Sequence, residues 1–171
     1  MKMLVIGGVR SGKSRYAREI SESLARERIF IATAIPHDPD MNARIERHRS
    51  ERRDGWTTIE EPVKIAHLLG SGPVVLVDCL TLWLTNLMMD RSDQTQHSLD
   101  SYPEFDELAA CVTATTGHLV MVINDVGGGV HAMTPLGRRF QDLSGFLAQH
   151  MASVCDRVVL MCAGIPMQVK P

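Results

Sequence analysis

The sequence has few aromatic residues and no excess of positive charge. Aromatic residues make up 5% of the 171 residues, and Lys plus Arg number 18 against 20 Asp plus Glu, a formal charge of −2. Proteins that bind nucleic acid usually carry a basic surface, often with aromatic side chains on which bases stack. The composition therefore argues against a nucleic-acid-binding function.

Cysteine pairs and long apolar runs are also missing. The four cysteines form no CxxC pair, so neither a zinc site nor a disulfide framework is indicated. No apolar run reaches the ~18 to 20 residues that cross a bilayer, and glycines interrupt the opening MKMLVIGG where a signal peptide would stay apolar. We expect a reduced, cytoplasmic protein that does not insert into a membrane.

Short apolar runs alternate with amphipathic segments along the chain, which is 44% hydrophobic. The runs predict buried strands over residues 3–6, 29–33, 74–77, 119–123 and 158–162. This alternation predicts one α/β domain over residues 1–171, with a doubly wound, mainly parallel sheet covered by helices on both faces.

Two segments interrupt this alternation. A charged helical insert is predicted at about residues 36–54, with Asp40 as its N-cap. A polar loop is predicted at about 90–103, because that stretch has no periodicity. Between them, Pro62 is predicted to begin a helix that continues over residues 63–69.

The first predicted strand is followed by a phosphate-binding motif. Residues 7–14, GGVRSGKS, satisfy GxxxxGK[ST] and open a predicted helix, as the P-loop mechanism requires. In such a loop backbone N–H groups surround phosphates, the lysine adds a positive charge and the serine hydroxyl binds Mg²⁺. The residues predicted to bind nucleotide here are Gly7, Gly8, Val9, Arg10, Ser11, Gly12, Lys13 and Ser14.

Asp78 ends the apolar strand over 74–77. A carboxylate at this position in a P-loop protein holds Mg²⁺ or its water ligands beside the phosphates. We therefore predict a magnesium site formed by Ser14 and Asp78, with Lys13 and Asp78 as catalytic residues. The remaining interpretation of Asp78 is a carboxylate that only caps the following loop.

The segment from Arg44 to Arg53 is rich in arginine and contains His48. It can be interpreted as a solvent-exposed charged helix, as a nucleic-acid contact or as a catalytic phosphate site. Arg44, His48 and Arg52 follow at i, i+4 and i+8, which predicts one shared helical face. The neighbouring arginines would bind polyphosphate and disfavour the imidazolium form of His48, which leaves a neutral nitrogen able to attack phosphorus.

Taken together, these segments resemble the bifunctional adenosylcobinamide kinase / adenosylcobinamide-phosphate guanylyltransferase family of cobalamin biosynthesis. The resemblance spans nearly the whole chain and lies in GGVRSGKS at 7–14, ARIxxHR at 43–49, VDCLTLWLTNL at 77–87, the turn at 124–129, LGRRFQDLSG at 136–145 and AGIP at 163–166. The second and third of these segments are the more specific, because many NTPases share a P-loop.

The resemblance implies a P-loop enzyme that phosphorylates adenosylcobinamide with ATP or GTP, then transfers GMP from GTP through a guanylylated histidine to give adenosylcobinamide-GDP. His48 would be the nucleophile. The resemblance also implies a homotrimer, a corrinoid substrate and Mg²⁺. Nucleotide contacts beyond the P-loop are implied at Ala32, Thr33, Ala34, Arg49, Ser50, Glu51, Arg52, Glu60 and Asp78.

Two positions depart from the family pattern. Asp125 stands where the family has glutamate, and the stretch at Ala148 and Gln149 lacks a family asparagine.

Two other functions remain as alternatives. One alternative is a monofunctional small-molecule kinase whose arginine helix only binds phosphate. A second alternative, a regulatory GTPase switch, is disfavoured because no NKxD segment is present.

Overall fold

A computed structural model gives the architecture of the chain and describes residues 1–36, 39–50, 52–90 and 102–171. The side chains at 40, 41, 44, 47 and 48 lie outside the described part. The polar loop predicted at about 90–103 falls largely on residues 91–101, which also lie outside it.

The elements alternate between strand and helix for most of the chain. The helices are α1 (Lys13–Leu24), α2 (Pro39–Ser50), α3 (Leu80–Asp90), α4 (Pro103–Ala114) and α5 (Pro135–Val154). The strands are β1 (Lys2–Gly7), β2 (Arg28–Ala32), β3 (Trp56–Glu60), β4 (Val74–Asp78), β5 (His118–Asn124), β6 (Arg157–Cys162) and β7 (Ile165–Lys170).

The seven strands form one sheet in the order β3-β2-β4-β5-β1-β6-β7. All neighbouring pairs are parallel except β6 and β7, which form an antiparallel hairpin. The mainly parallel α/β fold predicted from the sequence is therefore confirmed. Strands β1 and β2 are consecutive in the chain but lie apart in the sheet, with β5 and β4 between them.

The central strands bury side chains on both faces of the sheet. Along β5, Leu119, Met121 and Ile123 join a core with α3, α4 and α5, whereas Val120 and Val122 join a second core with Ala17 of α1. Alternate residues of a strand point to opposite faces, so both cores are filled by the same apolar runs. Helices consequently cover both faces, as predicted.

Three local predictions were wrong. Helix α2 already begins at Pro39, so Asp40 lies inside its first turn and is not the N-cap. The helix predicted after Pro62 is only a 3₁₀ turn at Ala66–Leu68. Helix α2 also ends at Ser50, so Arg52 lies beyond it and cannot share a helical face with His48. The chain turns there toward β3, with Gly55 at a positive φ of 89° just before that strand.

Candidate active site

The phosphate loop lies at the carboxyl end of β1, the end at which parallel sheets bind ligands. Its backbone is tied to both neighbouring strands: Asp125, after β5, donates its N–H to Gly7 O at 3.0 Å, and Gly164, after β6, donates to Ser11 O at 3.0 Å. Within the loop, Ser11 N–H donates to Gly8 O at 3.2 Å. The loop is therefore held in shape before any ligand binds.

Two glycines of the loop are required by geometry. Gly7 packs so closely that an added Cβ would lie 2.5 Å from Ser11 Oγ and 2.9 Å from Met161 O. Gly12 has a positive φ of 92° at the start of α1, a backbone conformation that costs little only for glycine. These two positions explain why the motif needs glycine before and within the turn.

Lys13 is 9% exposed, and its Nζ donates a hydrogen bond to Gly8 O at 3.1 Å. Burial lowers the pKa of the Lys13 amine, and the nearby Cys79 and Asp78 partly oppose that shift. The largely buried ammonium has few protein acceptors, which makes it available to an anionic phosphate. Ser11 Oγ, also in the loop, is buried without a hydrogen-bond partner.

The strand register aligns three predicted site residues. Ala32 of β2 pairs with Asp78 on one side and with Glu60 on the other, so that the carboxyl ends of β4, β2 and β3 lie side by side. Asp78 interacts electrostatically with Lys13 and with Arg52. The fold thus brings together Lys13 and Asp78, which are 65 residues apart in sequence.

Thr33 follows β2 and is completely buried. Its Oγ1 donates to Cys79 O at 2.7 Å and accepts from Cys79 N–H at 2.9 Å. Its carbonyl accepts a hydrogen bond of 2.8 Å from Asn86 Nδ2, which also donates to Pro62 O at 2.9 Å. The hydrogen-bonding groups of Thr33 therefore join it to the residue after Asp78 and to α3.

The end of α2 reaches the same edge of the sheet. Arg49 pairs with Glu46 at 3.2 Å and also with Glu60 at the end of β3. The guanidinium of Arg52 lies 4.2 Å from the centre of the Phe30 ring, a cation–π arrangement. Burial and the positive charge of Arg49 lower the pKa of Arg52, whereas Asp78 acts in the opposite direction.

The remaining predicted site residues fall in two groups. Val9, Arg10, Ala34 and Ser50 lie in or beside the segments just described, and Val9 and Arg10 are exposed. His48 belongs to α2, but its side chain lies outside the described part, and Glu51 lies outside it entirely. The described residues Lys13, Ala32, Glu60 and Asp78 of the predicted site thus lie at one edge of the sheet, and the backbone of His48 belongs to α2.

Asn86 and Gly164 are site-supporting residues that the sequence did not single out. Asn86 is a polar position in the apolar helix α3, a local signal that such a residue has a specific partner. Gly164 lies in the AGIP segment and takes a positive φ of 84° in the two-residue turn of the β6–β7 hairpin.

The phosphate loop, the acidic strand end and the parallel sheet define a P-loop nucleotide-binding protein. Solved structures with this fold include the EscN ATPase of the type III secretion system of enteropathogenic E. coli (TM-score 0.56, 10% identity, 95% of this chain and 43% of that chain). The RadB recombinase is similar as well (TM-score 0.51, 13% identity, 93% and 73%).

Similarity in sequence identifies the family far more specifically than these structural similarities do. The model of the CobU family, described as cobinamide kinase / cobinamide phosphate guanyltransferase, matches residues 3–169. The bifunctional adenosylcobalamin biosynthesis protein CobP of Pseudomonas aeruginosa is 41% identical, over 99% of this chain and 98% of the relative. CobU of Escherichia coli K12, with the same description, is 32% identical over 99% and 100%.

The chain therefore belongs to the cobinamide kinase / cobinamide phosphate guanyltransferase family, and it is a bifunctional transferase of adenosylcobalamin biosynthesis. This confirms the family resemblance found in the sequence. Among the described residues, no helix is long and apolar enough to cross a membrane.

Proposed function

We propose that both reactions use the nucleotide site at the carboxyl edge of the sheet, and that GMP transfer proceeds through a covalent adduct on His48. The first reaction phosphorylates the hydroxyl of adenosylcobinamide with ATP or GTP. The second transfers GMP from GTP to the phosphate formed. The observation that carries this assignment is the alignment of Glu60, Ala32 and Asp78 next to the buried Lys13.

In the kinase half, the phosphate loop binds the nucleotide phosphates through its backbone N–H groups and Lys13. The Lys13 ammonium stabilises the charge that moves onto the leaving phosphate as the acceptor hydroxyl oxygen attacks the γ-phosphorus. Since the loop is held by hydrogen bonds from Asp125 and Gly164, little reorganisation is needed as this charge develops.

Magnesium fits the residues at this edge. The Ser14 hydroxyl and the Asp78 carboxylate are hard oxygen ligands, the type that Mg²⁺ prefers, and Mg²⁺ usually takes its other ligands from water and substrate phosphates. In agreement, the described ranges hold no cluster of three His, Cys, Asp or Glu residues that would form an all-protein metal site. Bound Mg²⁺ would neutralise phosphate charge, and Ser14 and Asp78 would hold it.

In the guanylyltransferase half, a neutral imidazole nitrogen of His48 attacks the α-phosphorus of GTP. A nitrogen–phosphorus bond forms, the bond to the β-phosphate oxygen breaks and pyrophosphate leaves. An oxygen of adenosylcobinamide phosphate then attacks the same phosphorus and displaces the imidazole. Support comes from α2, which carries His48 and is joined to the site by the pair between Arg49 and Glu60.

Further nucleotide contacts belong to this proposal. They are Ala32, Thr33, Ala34, Ser50, Glu51, Arg52 and Glu60, together with Arg49, and they rest on the family resemblance. We also propose that the enzyme is a cytoplasmic homotrimer that binds no nucleic acid. Light scattering coupled to size exclusion tests the trimer, whose mass would be three times 18.9 kDa.

The test of the His48 adduct is incubation with α-³²P-labelled GTP and Mg²⁺ without corrinoid. The wild-type protein should retain label that is lost in acid and stable in mild alkali, as expected for a phosphoramidate. His48→Ala should retain none, yet keep appreciable kinase activity because Lys13, Ser14 and Asp78 are intact.

The matched control is His67→Ala, which removes an exposed histidine outside the site, and it should label like wild type. Label on His48→Ala would identify another nucleophile. A wild-type protein that never labels, but still phosphorylates adenosylcobinamide, would favour kinase activity without a covalent guanylyl step.

A further inference from the structure

The single hydrogen-bond donor of the Thr33 side chain is already used within the protein. Its Oγ1 donates to Cys79 O at 2.7 Å and accepts from Cys79 N–H at 2.9 Å, and the residue is 0% exposed. Just beyond the last ladder pair of β2 and β4, Ala32 with Asp78, this hydroxyl bonds to both backbone groups of Cys79. It therefore fixes where the chain goes directly after Asp78.

Asn86 extends this connection to the other side of the site. Its Nδ2 donates to Thr33 O and to Pro62 O, at 2.8 and 2.9 Å. Pro62 follows Glu61 and Glu60 at the end of β3, so one amide group joins the chain segments that leave β2 and β3. The four residues Cys79, Thr33, Asn86 and Pro62 thus belong to one hydrogen-bonded series across three strand ends.

We propose that Thr33 and Asn86 are positioning residues, which set the location of the Asp78 carboxylate relative to the phosphate loop and do not bind nucleotide through their side chains. This inference rests on the proposed role of Asp78 in holding Mg²⁺. The family resemblance implies a nucleotide contact at Thr33 without assigning it to an atom, and this inference gives the Thr33 side chain a supporting role beside the metal-binding carboxylate.

Loss of the Thr33 hydroxyl has a specific expected effect. Thr33→Val keeps the shape of the side chain but leaves the buried N–H of Cys79 without its partner, whereas Cys79 O keeps the bond of 3.1 Å from Trp83 N–H. The segment after Asp78 should therefore shift to satisfy that N–H. Phosphate contacts of the loop are untouched. Nucleotide affinity should therefore fall only when Mg²⁺ is present.

The experiment is calorimetric titration with the α,β-methylene analogue of GTP, which cannot guanylylate His48, in Mg²⁺ and in EDTA. We expect Thr33→Val to weaken binding about fivefold to tenfold in Mg²⁺, the size of one or two lost hydrogen bonds, and to leave binding in EDTA unchanged. Thr33→Ser, which keeps the hydroxyl, should return affinity toward wild type. Asn86→Ala should show the same Mg²⁺-specific loss.

Two controls separate the possible failures. Ser21→Ala removes a buried hydroxyl that bonds within α1, to Ala17 O at 2.8 Å, and should bind normally in both conditions even if it is less stable. Asp78→Asn should lose the Mg²⁺-dependent part of the affinity. If Asp78→Asn binds like wild type, the proposed metal site is wrong.

If Asp78→Asn loses affinity while Thr33→Val and Asn86→Ala do not, the positioning role is wrong and the metal site stands. If Thr33→Val weakens binding equally in Mg²⁺ and EDTA, Thr33 contacts the nucleotide directly, and the inference is again overturned.

Discussion

The phosphate loop and the end of helix α2 lie at the same edge of the sheet but are held in different ways. The loop is tied by backbone hydrogen bonds from Asp125 and Gly164, both at 3.0 Å, and its Lys13 is largely buried. The end of α2 is tied through Arg49, which is 47% exposed, to Glu46 and Glu60, which are 69% and 64% exposed.

This difference in burial has a functional consequence. Exposed ion pairs are worth about 0–1 kcal/mol and are screened by salt. The backbone hydrogen bonds of the loop end on carbonyls of the buried residues Gly7 and Ser11, and such bonds are costly to leave unmade. The phosphate loop is therefore a fixed element that both reactions share. The segment with His48 is attached by interactions that salt weakens. Loss of this attachment should strongly affect only the guanylyltransferase reaction.

The largest effect should come from breaking the fixed half. Lys13→Ala removes the positive charge that stabilises the phosphate transition state, so kinase turnover should fall about 100- to 1,000-fold or more. Circular dichroism should show a retained fold, because the variant leaves the backbone ties of the loop intact. The matched control, Lys64→Ala, removes an exposed lysine that is not part of the loop. Unchanged phosphorylation of adenosylcobinamide by Lys13→Ala would disprove the assignment.

The next largest expected effect is a difference in alkylation rate between buried and exposed cysteines. One of the buried cysteines, Cys79, directly follows Asp78 and therefore reports on that segment. Burial raises the pKa of the Cys79 thiol to about 11 and that of Cys155 to about 12, while Cys162 is exposed. A pKa two units above the ordinary value leaves about 100-fold less reactive thiolate near neutral pH.

Iodoacetamide at pH 8, followed by peptide mass spectrometry, measures this difference. Cys162 should be modified at least about 100-fold faster than Cys79 or Cys155, and all three should react at similar rates in urea. Comparable rates for Cys79 and Cys162 in the folded protein would show that the segment after Asp78 opens readily, contrary to the burial of Cys79.

The same contrast explains which elements could be predicted from sequence. The five predicted strands are the buried ones, and each is an apolar run. Strands β3 and β7 were not predicted, because both are edge elements with mostly exposed side chains, and β7 contains Pro166. The apolar residues of β3 do not alternate; in β7, Ile165, Met167 and Val169 do alternate, but Pro166 stands among them and argues against a strand.

The site residues also divide into those that a local sequence pattern marks and those that no such pattern marks. The phosphate loop and Asp78 were predicted because a contiguous motif and a strand end carry them. The bonds of Thr33 to Cys79 and to Asn86 join residues 46 and 53 positions apart, and no local pattern marks such pairs. The position of Arg52 was predicted wrongly, because the i, i+4, i+8 spacing assumed a helix that continues to residue 52, whereas α2 ends at Ser50.

The smallest effect should come from the exposed half, through Glu60→Gln. This change keeps the size of the side chain and an acceptor oxygen but removes the ion pair with Arg49. Labelling of the protein by α-³²P-GTP should fall about twofold to fivefold at low salt, and this difference from wild type should vanish near 1 M salt as screening removes the pair from both proteins. Kinase activity should change less.

Glu46→Gln, the matched control, removes a pair of Arg49 within α2 and leaves the tie to β3, so its labelling should stay near wild type. Equal losses in the two variants would show that the tie to β3 has no special role, and a loss beyond 100-fold in Glu60→Gln alone would mean that the nucleotide contact proposed for Glu60 outweighs its ion pair with Arg49.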